Sequence, residues 1–213
     1  MKSIIPEDIE NYIDLHTTPE SEALNALNRE TNLKVLMPQM LSGHVQGKFL
    51  EFISHMINPQ YILEIGTFTG YSAICLAKGL KENGKLVTID INEELTPMVK
   101  NYIGKENLNE KIEVRMGNAM KIIPELNYKF DLVFIDADKI NYSNYFDLII
   151  NKVNAGGWIL TDNVLWSGKI IEPIKDKDTL AIEVYNKKIH DDPRVENVII
   201  SIRDGVSIAR KIG

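Results

Sequence analysis

Two short segments carry the side chains best suited to chemistry. Asp131-Leu132-Val133-Phe134-Ile135-Asp136-Ala137-Asp138-Lys139 is an apolar run that ends in carboxylates and an amine, and Gly157-Trp158-Ile159-Leu160-Thr161-Asp162-Asn163 is another that ends in a carboxylate and an amide. As adjacent parallel strands, the two runs would bring Asp136, Asp162 and Asn163 together at one sheet edge. Three oxygen donors, with no cysteine or suitably spaced histidine, favour a hard cation such as Mg2+, with Mn2+ and Ca2+ as alternatives, and disfavour zinc. Taken singly, the same residues have plainer uses: a strand-end Asp often caps a helix, and an Asp-Asn pair often makes a turn.

A third segment suits a small organic ligand. In Tyr61-Ile62-Leu63-Glu64-Ile65-Gly66-Thr67-Phe68-Thr69-Gly70-Tyr71-Ser72 an apolar strand breaks into a glycine-bounded loop and then a helix. Ligands of parallel α/β sheets sit outside the carboxyl ends of the strands, where such a loop lies. The spacing excludes a dinucleotide fingerprint, which needs glycines at positions one, three and six; here the third is Phe68 and the sixth Tyr71. Glu64 before the loop and Asp90 at the end of the next apolar run, 85–90, suit a ligand rich in hydroxyl and ammonium donors. A tight strand-to-helix turn and a solvated Asp90 would account for the same residues without a ligand.

The elements that must position these residues alternate. Helical spacing of Val45, Phe49, Phe52, Ile53 and Met56 predicts a helix over 45–57. After the glycine loop come strand 85–90, helix 93–103, strand 112–116, helix 118–125, strand 130–135, helix 142–152 and strand 157–161. This rhythm implies a parallel sheet with helices on both faces. A helix over 179–190 then leads to two β-rich runs around Asp204-Gly205, a pair that favours a two-residue type I′ hairpin. The expected fold is therefore a Rossmann-like, mostly parallel seven-stranded sheet with one antiparallel strand from the C-terminal hairpin. Two helices near 6–16 and 19–32, the second entered through Thr17, Thr18 and Pro19, make an accessory segment of about 1–32 on a single 1–213 domain.

Composition narrows the class. The chain has 213 residues and a formal charge of -6, which gives no sign of a basic nucleic-acid surface. No run approaches the roughly eighteen apolar residues of a membrane helix, and the first residues lack a signal peptide's apolar region, so a cytoplasmic protein is expected. Cys75, the only cysteine, reads as a small buried residue. The four histidines show no ligand spacing or acid partner, Tyr142 and Tyr145 read as packing, and Trp166 suits either core or pocket wall.

The acidic-x-Gly-x-x-x-Gly loop with Asp90 resembles motif I and its partner in class I S-adenosylmethionine-dependent methyltransferases. Asp-Ala-Asp-Lys-x-Asn-Tyr-x-x-Tyr at 136–145 and Asp-Asn-x-Leu-Trp-x-Gly at 162–168 resemble the cation-dependent caffeoyl-coenzyme A and catechol O-methyltransferases. The resemblance runs from about Met40 to the end. It implies S-adenosylmethionine contacts from Met40, Ser42, Glu64, Gly66, Ser72, Asp90, Ala119 and Asp136, a divalent metal on Asp136, Asp162 and Asn163, and Lys139 deprotonating or orienting the acceptor hydroxyl. It further implies a small phenolic acceptor, no nucleic-acid or membrane partner, a homodimer, and a variable loop over the acceptor from Trp166 to about Lys177. Asp138 stands where the catechol branch has a bulky aromatic residue. Two other functions stay open at this level: methylation of a hydroxylated uridine in transfer RNA, and a non-catalytic small-molecule binder.

Overall fold

The computed structural model describes residues 5–213, so the first four residues of the accessory segment lie outside the described residues. Seven strands form one sheet: β1 (Tyr61–Ile65), β2 (Lys85–Asp90), β3 (Ile112–Met116), β4 (Phe130–Ile135), β5 (Val153–Thr161), β6 (Val195–Ile200) and β7 (Val206–Lys211), in the order β3-β2-β1-β4-β5-β7-β6. The first five run parallel, and β7 is antiparallel to both β5 and β6. The chain walks outward from β1 to β3 and returns to β4. The strand order therefore reverses between β1 and β4, where open α/β sheets form their ligand crevice.

Strand periodicity builds two cores. Ile62, Leu86, Leu132, Phe134 and Leu160 are buried on one face, under α2 (Glu22–Lys34), α3 (Gly43–Ile57), α4 (Tyr71–Ala77) and α5 (Thr96–Lys105). Leu63, Ile65, Val87, Val133, Ile135 and Ile159 are buried on the other, under α6 (Ala119–Glu125), α7 (Tyr142–Ile149) and α8 (Lys177–Asp191). The N-terminal segment divides. Helix α1 (Glu7–Leu15) buries no residue, whereas α2 buries Leu24, Leu27 and Thr31, and each fully buried leucine is worth about 1.5 to 3 kcal/mol of transfer free energy.

Several boundaries differ from the sequence expectation. Strand β5 starts at Val153, not 157, because Val153 pairs with Phe130 before the register slips to Leu132–Trp158; Gly156, with φ 78°, sits inside that irregularity. Ser21 caps α2 by accepting from the Leu24 N–H, while the Thr17 hydroxyl turns back to the Ile13 carbonyl. The segment expected as one helix from 93 opens with a 3-10 turn, Glu93–Leu95, and α5 runs on to Lys105. The Asp204-Gly205 hairpin is wider than a type I′ turn: Ile200 pairs with Val206, and left-handed backbone falls at Arg203 and Gly205, not at Asp204. Cys75 is buried. Among the described residues no helix is long and apolar enough to cross a membrane.

Candidate active site

The chemistry-bearing residues form a row because the sheet ladder continues one residue past each strand. Gly66 N–H donates to the Ile89 carbonyl (2.9 Å), Asp136 N–H to Ile65 (2.8 Å) and Asp162 N–H to Ile135 (3.0 Å). Gly66, Asp136 and Asp162 thus stand side by side across the switch point. Contact between the first two is close: a Cβ on Gly66 would lie 2.0 Å from the Asp136 carbonyl oxygen, and Gly66 has φ 104°. Only glycine meets both conditions. A concavity of about 480 Å3 lined by Ser21, Glu22, Lys105 and Glu106 contains none of Gly66, Asp136 and Asp162.

Of the two acids expected at the glycine loop, Asp90 holds it. Asp90 Oδ2 accepts from the N–H groups of Thr67 (2.9 Å) and Phe68 (2.7 Å), and Oδ1 accepts from Asn92 N–H (2.9 Å). Asp90 therefore also shapes the loop, a role that its strand-end position did not reveal. Glu64 is fully buried and accepts from the Thr88 hydroxyl at 2.5 Å. Its Oε1 is buried without a hydrogen-bond partner. Burial pushes its pKa up to about 8, with the Ser72 and Thr88 hydroxyls opposing and Asp136 and Asp90 adding. An unpaired buried carboxylate oxygen is costly, and an ammonium-bearing ligand would relieve it. Ser72 is buried in the first turn of α4, and Ala119 opens α6 beyond β3.

Lys139 is placed by a 3-10 turn (Lys139–Asn141) that leads into α7. Its Nζ donates to Asp136 Oδ1 (3.1 Å) and to the Tyr142 hydroxyl (2.6 Å), and the Tyr142 hydroxyl donates to the Asp162 carbonyl (3.0 Å). Tyr142 does pack, as expected, but its hydroxyl also bridges the lysine to the next strand end; the spacing of aromatic residues carries no signal for that. Lys139 Nζ lies 5.7 Å from the Trp166 ring centroid, which places Trp166 beside the lysine while the ring also packs, half-buried, against the core.

Asp162 and Asn163 are buried at the end of β5. Burial, and then the neighbouring Asp136 charge, push the Asp162 pKa up to about 6, against the lowering effects of Gln46, Lys139 and Arg203. Asn163 has φ 59°, a conformation asparagine tolerates. Among the described residues no three His, Cys, Asp or Glu side chains group as a metal site, so a cation here would need a neutral donor, for which Asn163 carries an amide oxygen. Two mutually repelling acids beside that amide fit a divalent ion.

Other placements are simpler. Asp138, where an aromatic residue was the catechol-branch expectation, accepts from the Tyr145 hydroxyl and the Asn141 amide. His44, expected to lack an acid partner, pairs with Asp14 Oδ1 at 2.8 Å. The two residues lie too far apart in the chain for a spacing argument. Met40 is half exposed, and Ser42 is buried at the entry to α3.

The comparisons with known proteins agree with this geometry. A family model described as O-methyltransferase matches residues 14–212. The caffeoyl-CoA O-methyltransferase of Medicago sativa is 33% identical over 227 residues, covering 99% of this chain and 92% of the relative; that of Petroselinum crispum is also 33% identical, covering 99% and 94%. An O-methyltransferase from Bacillus cereus, solved in complex with SAH, has a TM-score of 0.86 at 30% identity and covers 96% of this chain and 97% of its own. The O-methyltransferase TomG from Streptomyces achromogenes, solved in complex with SAM and involved in tomaymycin synthesis, has a TM-score of 0.89 at 26% identity, covering 97% and 96%. With the family model spanning nearly its whole length, the chain belongs to the O-methyltransferase family.

Proposed function

We propose that this protein transfers a methyl group from S-adenosylmethionine to one hydroxyl of a catechol-like or caffeoyl-type small molecule, with a divalent cation, Mg2+ foremost, chelating the acceptor. The observation that carries the reading is the packing of Gly66 on Asp136, which sets the donor loop against the residues that would hold the acceptor. The unpaired Glu64 oxygen and the paired acids Asp136 and Asp162 fit the two missing groups. When bound, S-adenosylmethionine supplies an electrophilic methyl group, and the cation supplies charge that favours ionisation of a coordinated hydroxyl.

The chain's own residues do the rest. Asp136, Asp162 and Asn163 would hold the cation. Lys139, fixed by Asp136 and Tyr142, presents its amine at the acceptor side, where it takes the hydroxyl proton or offsets the oxyanion charge. Trp166 forms a wall beside it. Holding two reactants in line in this way can contribute on the order of 7 to 11 kcal/mol. The test is a screen of purified protein with S-adenosylmethionine and Mg2+ against a catechol panel, with hydroxyuridine-containing RNA in parallel. Methylated catechol supports the reading, and turnover of RNA alone rejects it.

Cofactor binding should weaken at least tenfold in Asp90→Ala. The change removes charge-assisted hydrogen bonds worth roughly 1.5 to 3 kcal/mol each, and it also frees the Thr67 and Phe68 N–H groups that Asp90 holds. Calorimetry on the folded variant measures this, and unchanged affinity would exclude Asp90 from the cofactor site.

Glu64 sets a pH dependence. Its folded pKa of about 8 lies above the ordinary 4.5, so between these values the folded state binds more protons than the unfolded one, and this residue's contribution to stability falls as pH rises through that window. An ammonium group seated beside it would favour its charged form. Binding of S-adenosylmethionine at pH 7 should therefore release up to about one proton, read by calorimetry in buffers of different ionisation enthalpy. Glu64→Gln should lose the release. Equal proton counts in wild type and variant would show that Glu64 does not meet the ligand's amine.

A further inference from the structure

Arg203 joins the two halves of the site. It lies in the connector between β6 and β7 with φ 46°, a left-handed conformation disfavoured for residues other than glycine, asparagine and aspartate. Its guanidinium faces the entry to α3: Nη1 donates to the carbonyls of Leu41 (2.9 Å) and Ser42 (2.5 Å) and to Gln46 Oε1 (2.9 Å), and Nη2 reaches the Gln39 carbonyl at 3.5 Å. A planar fork of donors can serve several acceptors at once, which a lysine ammonium does less well.

The same connector grips the other half. Gly205 and Asp204 carbonyls accept from the N–H groups of Val164 (3.0 Å) and Leu165 (2.9 Å), the residues directly after Asp162-Asn163, and the Asp204 carboxylate accepts from Ser167 N–H. A Cβ on Gly205 would lie 2.4 Å from Leu165 Cγ, so the two segments are in close contact. Gln46, whose Oε1 Arg203 holds, is fully buried in α3, and its amide favours the charged form of Asp162. Three consecutive residues, 203–205, thus reach both the segment that carries Met40 and Ser42 and the segment that carries Asp162 and Asn163.

We propose that Arg203 is a positioning residue for methyl transfer, clamping residues 39–46 onto the strand ends that bear Asp162 and Asn163 so that the cofactor and acceptor sides stay in register. The proposal rests on the methyl-transfer reading above. Glycine at this position would ease the backbone and lose the clamp, so Arg203→Gly separates positioning from folding.

The experiment compares wild type, Arg203→Gly and Arg203→Lys by hydrogen exchange without ligand and by steady-state kinetics. In Arg203→Gly, exchange over 39–46 should accelerate while β1 and β4 stay protected, Tm should not fall, and the KM for S-adenosylmethionine should rise about tenfold, a change of about 1.4 kcal/mol, with the acceptor KM little changed. Arg203→Lys, which keeps the charge without the fork, should fall between the two. Wild-type exchange over 39–46 in Arg203→Gly, or exchange raised equally across the sheet, would overturn the clamp. A wild-type protein that neither binds S-adenosylmethionine nor turns over would sink the methyl-transfer reading instead, and the ligand-free exchange would still decide whether the clamp exists.

Discussion

Exhaustive chelation of divalent cations should abolish methyl transfer, and Mg2+ or Mn2+ should restore it. Asp136 and Asp162 stand on neighbouring strand ends, and burial together with their mutual repulsion already holds the Asp162 pKa up near about 6. A hard cation between them would offset that repulsion, and the Asn163 amide would complete an oxygen-only set. Without it, a phenol of pKa near 10 stays almost wholly neutral at pH 7. A fall of about three pKa units, well within what a coordinated oxygen acid undergoes, raises the acid dissociation constant about a thousandfold, equivalent to about 4 kcal/mol. Lys139 by itself cannot replace that effect while its Nζ is shared between Asp136 and Tyr142. Asp162→Ala should reproduce the loss and impair cation and acceptor binding far more than cofactor binding, because the glycine loop and Asp90 hold the cofactor separately. Full activity after chelation, checked by metal analysis of the same sample, would reject a cation-templated reaction.

Strands β2, β3 and β4 were legible to the residue because their signal is local. Strands β2 and β4 are short, mostly apolar runs, β3 alternates apolar residues with Glu113 and Arg115, and nothing in their neighbourhoods contradicts a strand. Strand β5 was read too short because Gly156 and Gly157 look like a turn, whereas Val153 is recruited by Phe130 on the neighbouring strand; that pairing is tertiary. The hairpin formed, but its turn differs from the expected one for a related reason. An Asp-Gly pair favours a two-residue turn in isolation, but the Gly205 and Asp204 carbonyls accept from Val164 and Leu165 respectively, and the left-handed residues are Arg203 and Gly205 rather than Asp204 and Gly205.

The candidate site divides along the same line. Asp136, Asp162 and Asn163 could be placed together from strand order, since parallel strand ends share an edge. The second roles of Asp90 and Tyr142 could not, because each depends on a contact across the sheet between distant parts of the chain. Asp90 spends its carboxylate on loop amides 22 and 23 residues away, and Tyr142 reaches a carbonyl 20 residues on. Arg203, whose partners lie more than 150 residues back, leaves no trace in spacing or composition.

Catechols and caffeoyl-type 3,4-dihydroxyphenyl compounds should be methylated much faster than matched monophenols. Two vicinal oxygens can chelate one cation, so one anchors the ring while the other is held toward the donor loop at Gly66. A monophenol makes a single bond to the cation and keeps its rotational freedom. Losing even part of the 7 to 11 kcal/mol that in-line positioning can contribute predicts a deficit of at least about a hundredfold in kcat/KM, equivalent to about 2.7 kcal/mol. Product analysis should find mainly mono-methylated rings, since methylation weakens the chelating pair. The effect should vanish in the residual turnover of Asp162→Ala, where the cation loses a ligand, but persist in Asp90→Ala at saturating S-adenosylmethionine, where only the cofactor side is damaged. Equal rates for catechols and monophenols in the wild-type protein would refute chelation of the acceptor through two oxygens and leave a singly coordinated hydroxyl as the species the site activates.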